Sequence, residues 1–149
     1  MKKKFVTFLL GDRLYGIDIM KVKGIEKVEN IYVLPNVPKT IRGVFKLRNA
    51  IIPIFDLKKR FTFEEDKTNT DTIILINTND MEIAILIDKV KMVFEIDESL
   101  IQNPPVLNSG INRDYLKGIS RIDDDTILMI IDIDKLFSKE ELQSLKNNL

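Results

Sequence analysis

The chain has 149 residues, 44% of them hydrophobic, which suffices for one compact domain with a buried core. Basic and acidic residues both number 23, so the net charge is zero. This balance gives no reason to expect binding to nucleic acid or anionic lipid. Cysteine and histidine are absent, which excludes disulfides, thiolate or imidazole metal ligands and a histidine general base. No apolar run reaches the length of a membrane span, and we expect a cytoplasmic protein.

The N-terminal part alternates short apolar segments with turn signals. Residues 5–10 form a continuous apolar run that predicts a strand, and Gly11-Asp12 supplies a turn. Tyr15, Ile17 and Ile19 alternate with polar residues in the returning strand. A short helical turn is expected within 18–23, followed by a third strand within 26–33.

The central stretch, residues 41–61, has the pattern of a hairpin followed by a capped helical turn. Gly43 permits a bend or close backbone approach, and Pro53 cannot donate a ladder hydrogen bond. The hairpin turn is predicted at Arg48-Asn49, because asparagine tolerates the left-handed conformation that such turns need. Asp56 precedes residues 57–61 as an N-cap precedes a helix. The basic run Lys58-Lys59-Arg60 is interpreted as a solvated helix face.

The second half follows a polar segment, 62–71, which we interpret as a linker. Strands are predicted at 72–76 and 83–87, and a second hairpin at 118–131. A final helix is predicted from the capping-box spacing of Ser138 and Glu141, with Leu142 and Leu145 on its inner face.

Several spacings recur between the two halves, which indicates an internal duplication. Residues 116–119 repeat the pattern of 41–44, and residues 132–137 repeat that of 56–61. Upstream, four residues recur at one constant offset: Asp12, Gly16, Ile17 and Val22 match Asp80, Ala84, Ile85 and Val90. We therefore expect a mostly-β chain of two small barrels with a terminal helix. The single domain, 1–149, would comprise subdomains 5–66 and 67–137 and a helix at 138–149. The first strand can pair in either barrel.

An ordered set of residues across nearly the whole chain resembles the CheW coupling-protein family of bacterial chemotaxis. The first part of this set is Gly11-Asp12, Tyr15-Gly16-Ile17-Asp18-Ile19 and Lys21-Val22. It continues through Leu34-Pro35-Asn36-Val37-Pro38, Gly43-Val44, Leu47-Arg48, Ile52-Pro53-Ile54 and Asp56-Leu57. In the second half it includes Ile87-Asp88, Val90, Val93, Tyr115-Leu116-Lys117-Gly118 and Asp132-Ile133-Asp134-Lys135-Leu136. The ordered set, rather than any one piece, carries the resemblance.

This resemblance implies an all-β fold of two SH3-like five-stranded barrels with short helices and a C-terminal helix. It implies a non-enzymatic adaptor, without cofactor or metal, that couples chemoreceptors to the histidine kinase CheA. The expected partners are the receptor's cytoplasmic tip and the regulatory domain of CheA, at the membrane-associated receptor array, with no nucleic-acid binding and no direct membrane insertion. Val22, Gly43 and Arg48 would be receptor-binding residues, and Ile25 and Asn49 further partner contacts.

The resemblance places the receptor tip in a groove between the two barrels, and three positions near this expected groove depart from the family pattern. Asn49 stands where glycine is usual, Lys46 where asparagine is usual, and Gly24 where glutamate is common. These departures leave the expected fold unchanged and concern the receptor contacts.

Alternative interpretations remain open from the sequence. Small β-barrels also bind single-stranded nucleic acid through exposed aromatic residues, for which Tyr15, Phe45 and Phe55 are candidates. Acidic clusters at 123–125 and 132–134 suggest a metal site or a carboxylate hydrolase, although a solvated turn and a helix cap explain them more simply. Arg48 can equally be an internal brace between the barrels, Val22 and Ile25 can be core residues, and Gly43 can be a purely structural glycine.

Overall fold

A computed structural model describes residues 1–38, 40–61, 71–78, 81–104 and 115–148. The strands in these ranges are β1 (Lys2–Leu10), β2 (Arg13–Asp18), β3 (Val22–Lys27), β4 (Ile41–Leu47), β5 (Ala50–Asp56), β6 (Thr72–Asn77), β7 (Glu82–Leu86), β8 (Lys89–Asp97), β9 (Leu116–Arg121) and β10 (Ile127–Ile131). The helices are α1 (Leu57–Arg60), α2 (Ile133–Leu136) and α3 (Lys139–Asn148). Short 3₁₀ turns follow β2 at Ile19–Lys21 and β8 at Glu98–Leu100.

These strands form two five-stranded sheets, each of which closes into a small barrel. Barrel 1 has the strand order β3-β6-β7-β5-β4, and barrel 2 has the order β8-β1-β2-β10-β9. Tyr32, beyond β3, bridges to Val44 on the far edge of barrel 1, and Gln102, beyond β8, bridges to Ile119 of barrel 2. The expected pair of SH3-like five-stranded barrels is confirmed.

The barrels do not follow the expected subdomains, 5–66 and 67–137. Barrel 1 takes β3, β4 and β5 from the first half but the hairpin β6–β7 from the second, and barrel 2 takes β1–β2 from the first half and three strands from the second. The exchange is made by parallel pairing, of β2 with β10 and of β7 with β5. The first hairpin of each half is therefore part of the barrel whose other three strands come from the opposite half, and neither half contains a complete barrel.

The predicted repeat is nevertheless present in the register of the strands. In barrel 1, Ile54 of β5 lies opposite Ala84 of β7, and in barrel 2 the corresponding Ile130 lies opposite Gly16. Asp56 caps α1 by accepting a hydrogen bond from the Lys58 main chain, and Asp132 caps α2 in the same way. Both predicted caps are confirmed.

Gly43 and Gly118 have the same structural role in the two barrels. Gly43 has a φ of 152°, and a Cβ there would collide with the carbonyl oxygen of Tyr32 in the closing bridge. A Cβ on Gly118 would lie 2.8 Å from the carbonyl oxygen of Gln102, in the equivalent bridge. Both glycines are thus required because the chain that closes the barrel passes directly over them.

The largest hydrophobic cluster lies between the barrels and joins them into one unit. It includes Phe8, Tyr15 and Ile17 from barrel 2, together with Phe55 and Ile85 from barrel 1. Separate smaller clusters fill the two barrel interiors. Leu142 and Leu145 of α3 pack on the central cluster, as the predicted inner face requires.

The start of the C-terminal helix and the β4–β5 turn were both predicted from the sequence. The capping box is confirmed, since the Glu141 N–H donates to Ser138 Oγ and the Ser138 N–H donates to Glu141 Oε1. The β4–β5 turn is at Arg48-Asn49 as predicted, but Arg48, with a φ of 56°, adopts the left-handed conformation rather than Asn49. The predicted linker, apart from Asp71, and Asp80 of the repeat lie outside the described residues. Within the described part of the chain, no helix is long and apolar enough to cross a membrane.

Candidate functional site

An open groove of about 710 Å³ lies at one end of barrel 1. Residues 23–26 of β3 form one side and the β4–β5 turn, residues 47–50, forms the other. Leu75 and Glu82 complete its lining, and Glu82 Oε1 accepts a hydrogen bond of 2.5 Å from Lys23 Nζ. The pairing of β3 with β6 has a bulge at Lys23, beside the groove.

Three of the five predicted site residues meet in this groove. Ile25 is 43% exposed although its side chain is aliphatic, and Arg48 and Asn49 are exposed at the tip of the hairpin. In the part of the chain that the structure describes, the Arg48 side chain forms no hydrogen bond or ion pair. Its guanidinium can therefore meet a partner without first leaving an internal contact, which disfavours the brace interpretation.

The other two predicted residues are not part of the groove. Val22 is half-buried and packs against the central hydrophobic cluster. Gly43 is buried beneath the chain segment that closes barrel 1, so its role is structural. Gly24, one of the departures from the family pattern, lines the groove and has open space around its Cβ position.

Barrel 2 has a corresponding groove, of about 880 Å³, at its equivalent end. β8 contributes Lys91, Met92 and Phe94 to its lining, and the β9–β10 turn contributes residues 122, 123, 125 and 126. The hydrophobic cluster inside barrel 2 has fewer members than that of barrel 1, and buried Ser120 takes the place that Phe45 has in barrel 1. Thr7 is also buried here, and its hydroxyl donates a hydrogen bond to the Met92 carbonyl at a bulge in β8.

The turns beside the two grooves carry opposite charge. The barrel 1 turn has Lys46 and Arg48, whereas the barrel 2 turn is Asp123-Asp124-Asp125. Asp123 accepts a hydrogen bond from the Asp125 main chain, and this bond holds the pKa of the Asp123 carboxyl below its usual range. The acidic turn is exposed, as expected for a solvated turn. The two turns thus differ in charge, whereas the rest of each groove lining contains both basic and acidic side chains.

The two carboxylates of the acidic motif at 132–134 have local structural roles. Asp132 caps α2, and Asp134 forms an ion pair of 3.6 Å with Lys21. Among the described residues there is no cluster of three or more acidic side chains suited to a metal ion. The aromatic residues considered for nucleic-acid binding, Tyr15, Phe45 and Phe55, are all buried, so these three side chains cannot provide the stacking platform that this alternative needs.

A polar network that the sequence did not predict lies where the chain passes from β7 of barrel 1 to β8 of barrel 2. Asp88 occupies this crossover, and its carboxylate contacts Lys58 Nζ of α1 at 2.8 and 3.1 Å. The same carboxylate accepts a hydrogen bond of 2.6 Å from the Gly11 main chain, in the β1–β2 turn of barrel 2. The Asp88 N–H donates to the Leu9 carbonyl, also in barrel 2.

The network continues into barrel 1. The Lys58 N–H donates to Asp56 Oδ1, and Asp56 Oδ2 lies 3.4 Å from Arg42 Nη1. Among the described residues, Asp56 and Lys58 are the charged side chains that are buried. The interpretation of the basic run 58–60 as a solvated face is therefore wrong for Lys58, whose aliphatic stem and ammonium are covered. The side chains of Lys59 and Arg60 lie outside the described set. The sequence of this basic run does not indicate that Lys58 contacts a carboxylate that is distant in the chain.

Comparisons with known proteins agree with this architecture. Residues 4–141 match the CheW-like domain family. The chain is 40% identical over 149 residues to a "Chemotaxis protein CheW" from Treponema pallidum, covering 97% of this chain and 87% of the relative. A protein of the same name from Bacillus subtilis is 32% identical over 145 residues, covering 95% and 91%. The crystal structure of "scaffolding protein TtCheW" from Thermoanaerobacter tengcongensis superimposes with a TM-score of 0.83 at 35% identity, covering 95% of this chain and 91% of that one.

Proposed function

The chain belongs to the CheW-like domain family of chemotaxis scaffold proteins, and from this premise we propose that it couples chemoreceptors to the histidine kinase CheA. The two partners would be the cytoplasmic tip of the receptor and the regulatory domain of the kinase. The protein would act at the membrane-associated receptor array and would perform no chemistry of its own. The single observation that carries the proposal is the ordered similarity to chemotaxis CheW proteins over nearly the whole chain.

The geometry of barrel 1 supports a receptor contact at its groove. Ile25 offers an exposed aliphatic side chain, and Arg48 offers a guanidinium that is free of internal bonds within the described chain. An apolar contact beside a charged donor suits a helical tip that carries both aliphatic and acidic residues. Asn49 would contribute polar contacts at the rim. Val22 and Gly43 would act indirectly, by supporting β3 and the closed barrel.

The second partner requires a second surface, and the groove of barrel 2 is the candidate. It lies at the equivalent end of its barrel but adjoins the acidic turn at 123–125 rather than a basic one. Because like charges across an interface are unfavourable, the two grooves would select different partners. Individually modest contacts on two surfaces gain strength when several copies act together in an array.

The direct test measures binding of the purified chain to each partner by isothermal titration. We expect binding to a receptor tip fragment, to the isolated kinase regulatory domain, and to both in one ternary complex. Failure to bind either partner at micromolar concentrations would refute the coupling role. Reconstitution with full receptor and kinase then shows whether kinase activity depends on the chain.

Arg48→Ala tests the proposed receptor surface. Loss of one exposed interfacial arginine typically weakens binding by about tenfold, and we expect this for the receptor tip. Affinity for the kinase domain and the unfolding midpoint should change little. Arg121→Ala, at an exposed position of β9, is the matched control and should retain receptor affinity. A large drop in the melting temperature of Arg48→Ala would favour the internal brace instead.

A further inference from the structure

The polar network at the barrel junction is placed where it can fix how the barrels are oriented. Asp88 is bonded to both barrels at once, through Lys58 on the side of barrel 1 and through Gly11 and Leu9 on the side of barrel 2. The Lys58 side chain is only 8% exposed and that of Asp88 is 24% exposed, so water screens their ion pair weakly.

Stability alone is a poor explanation for this network. Burying an ion pair costs desolvation energy that offsets most of the Coulombic attraction, and an apolar pair of similar volume often stabilises a protein as well or better. The central hydrophobic cluster already joins the barrels over many residues. Apolar packing has little directional preference, however, whereas the bonds to Asp88 require particular positions of α1 and the β1–β2 turn.

We propose that the network of Asp88, Lys58 and the Gly11 main chain is an orientation lock that holds barrel 1 and barrel 2 in one relative arrangement. Gly11 has a φ of 64°, so the β1–β2 turn takes a conformation that directs its N–H to the Asp88 carboxylate. The bidentate contact with Lys58 then fixes α1 against the same carboxylate. A shift of one barrel relative to the other would break at least one of these bonds.

The repeated architecture provides an internal comparison. The other crossover, from β2 to β3, has an ion pair of reversed sign, in which Lys21 of the crossover contacts Asp134 of α2. This pair is longer, at 3.6 Å, and both side chains are at least 31% exposed. Exposed pairs of this kind contribute little. The lock is therefore confined to one of the two crossovers.

Resting on the proposed function, the lock would also matter for signalling. If the receptor and kinase surfaces lie on different barrels, a fixed angle between the barrels sets the geometry in which the two partners are held. A loosened joint would leave each binary affinity unchanged and reduce kinase control in the assembled array.

Distance measurements between spin labels test the lock without any partner. The chain contains no cysteine, so labels can be introduced at Lys46 on barrel 1 and Lys117 on barrel 2, both exposed. The test variant, Lys58→Met with Asp88→Leu, replaces the charged pair with an apolar one. We expect the distribution of distances between the barrels to become at least twice as wide, while the unfolding midpoint is kept or raised. Labels at Lys46 and Lys27, both on barrel 1, should give an unchanged distribution.

Two further variants complete the experiment. Lys21→Met with Asp134→Leu makes the same change at the exposed crossover and should leave the distribution between the barrels narrow. Asp88→Asn removes the charge but keeps an oxygen that can accept from the Gly11 N–H, so its distance distribution should have intermediate width. This variant tests the lock even if the apolar variant folds poorly. A distribution as narrow as wild type in both Asp88 variants would overturn the lock. That result would leave the proposed coupling role intact. Conversely, if the wild-type chain failed to bind its partners, the coupling role would be refuted but the lock would not.

Discussion

Replacing Gly43 with alanine should open barrel 1 at its closing bridge. The added Cβ would collide with the Tyr32 carbonyl oxygen, which accepts the Val44 N–H bond at 2.9 Å, and the φ of 152° is one that alanine rarely adopts. Backbone strain of this kind costs about 1–3 kcal/mol. Losing the two bridge hydrogen bonds adds about 1 kcal/mol each. We therefore expect the free energy of unfolding to fall by about 3–5 kcal/mol, a large part of the 5–15 kcal/mol typical of a folded domain.

Urea denaturation followed by circular dichroism measures this loss, and amide hydrogen exchange locates it. The amides of Tyr32 and Val44, which bond to each other's carbonyls, should exchange faster than those of β6 and β7 in the same barrel. Gly24→Ala is the matched control, because a Cβ there meets nothing within 4 Å. It should change the free energy of unfolding by less than about 0.5 kcal/mol. Equal stabilities for the two variants would refute the close-approach argument.

Two further predictions concern alkaline stability and the C-terminal helix. Burial raises the pKa of the Tyr15 hydroxyl to about 12, so the folded chain holds this proton more tightly than the unfolded chain, and stability should fall as pH rises from about 10 to about 12. A pKa shift of this size corresponds to roughly 3 kcal/mol of stability. Tyr15→Phe should therefore lose less stability between these pH values, as measured by urea titrations at several pH values. An equal loss of stability in both proteins would contradict this prediction. Ser138→Ala removes the acceptor for the Glu141 N–H and should lower the free energy of unfolding by about 1 kcal/mol, whereas Ser138→Asp should retain most of it.

Local chemistry explains which features the sequence could reveal. The caps at Asp56 and Asp132, the turn at Arg48-Asn49 and the need for Gly43 depend on neighbours in the chain or on backbone conformation. Spacing therefore predicted them, together with the repeat. Spacing did not predict which barrel receives each hairpin, because the parallel pairings of β2 with β10 and β7 with β5 join segments far apart in the chain.

In the candidate site, too, the sequence did not reveal the contacts that join residues far apart in the chain. Ile25, Arg48 and Asn49 meet in one groove because β3 and the β4–β5 turn lie at the same end of barrel 1. Val22 was placed with them by its position in the family pattern, yet it packs against the central cluster. Lys58 appeared to belong to a solvated run because its partner, Asp88, lies thirty residues away and on the other side of the exchanged hairpin.

The exchange of hairpins has a consequence for how such a scaffold can work. Barrel 1 uses the five consecutive strands β3 to β7, whereas barrel 2 combines β1 and β2 with β8, β9 and β10, so barrel 2 closes only when the two ends of the chain come together. The two crossovers that make the exchange are also the places where the barrels are tied, firmly at Asp88 and weakly at Lys21. A duplication in which each copy formed its own barrel would leave two domains on a linker, and their grooves would be free to reorient. Exchange converts the same ten strands into one body, in which the two proposed binding surfaces would keep a constant separation and angle.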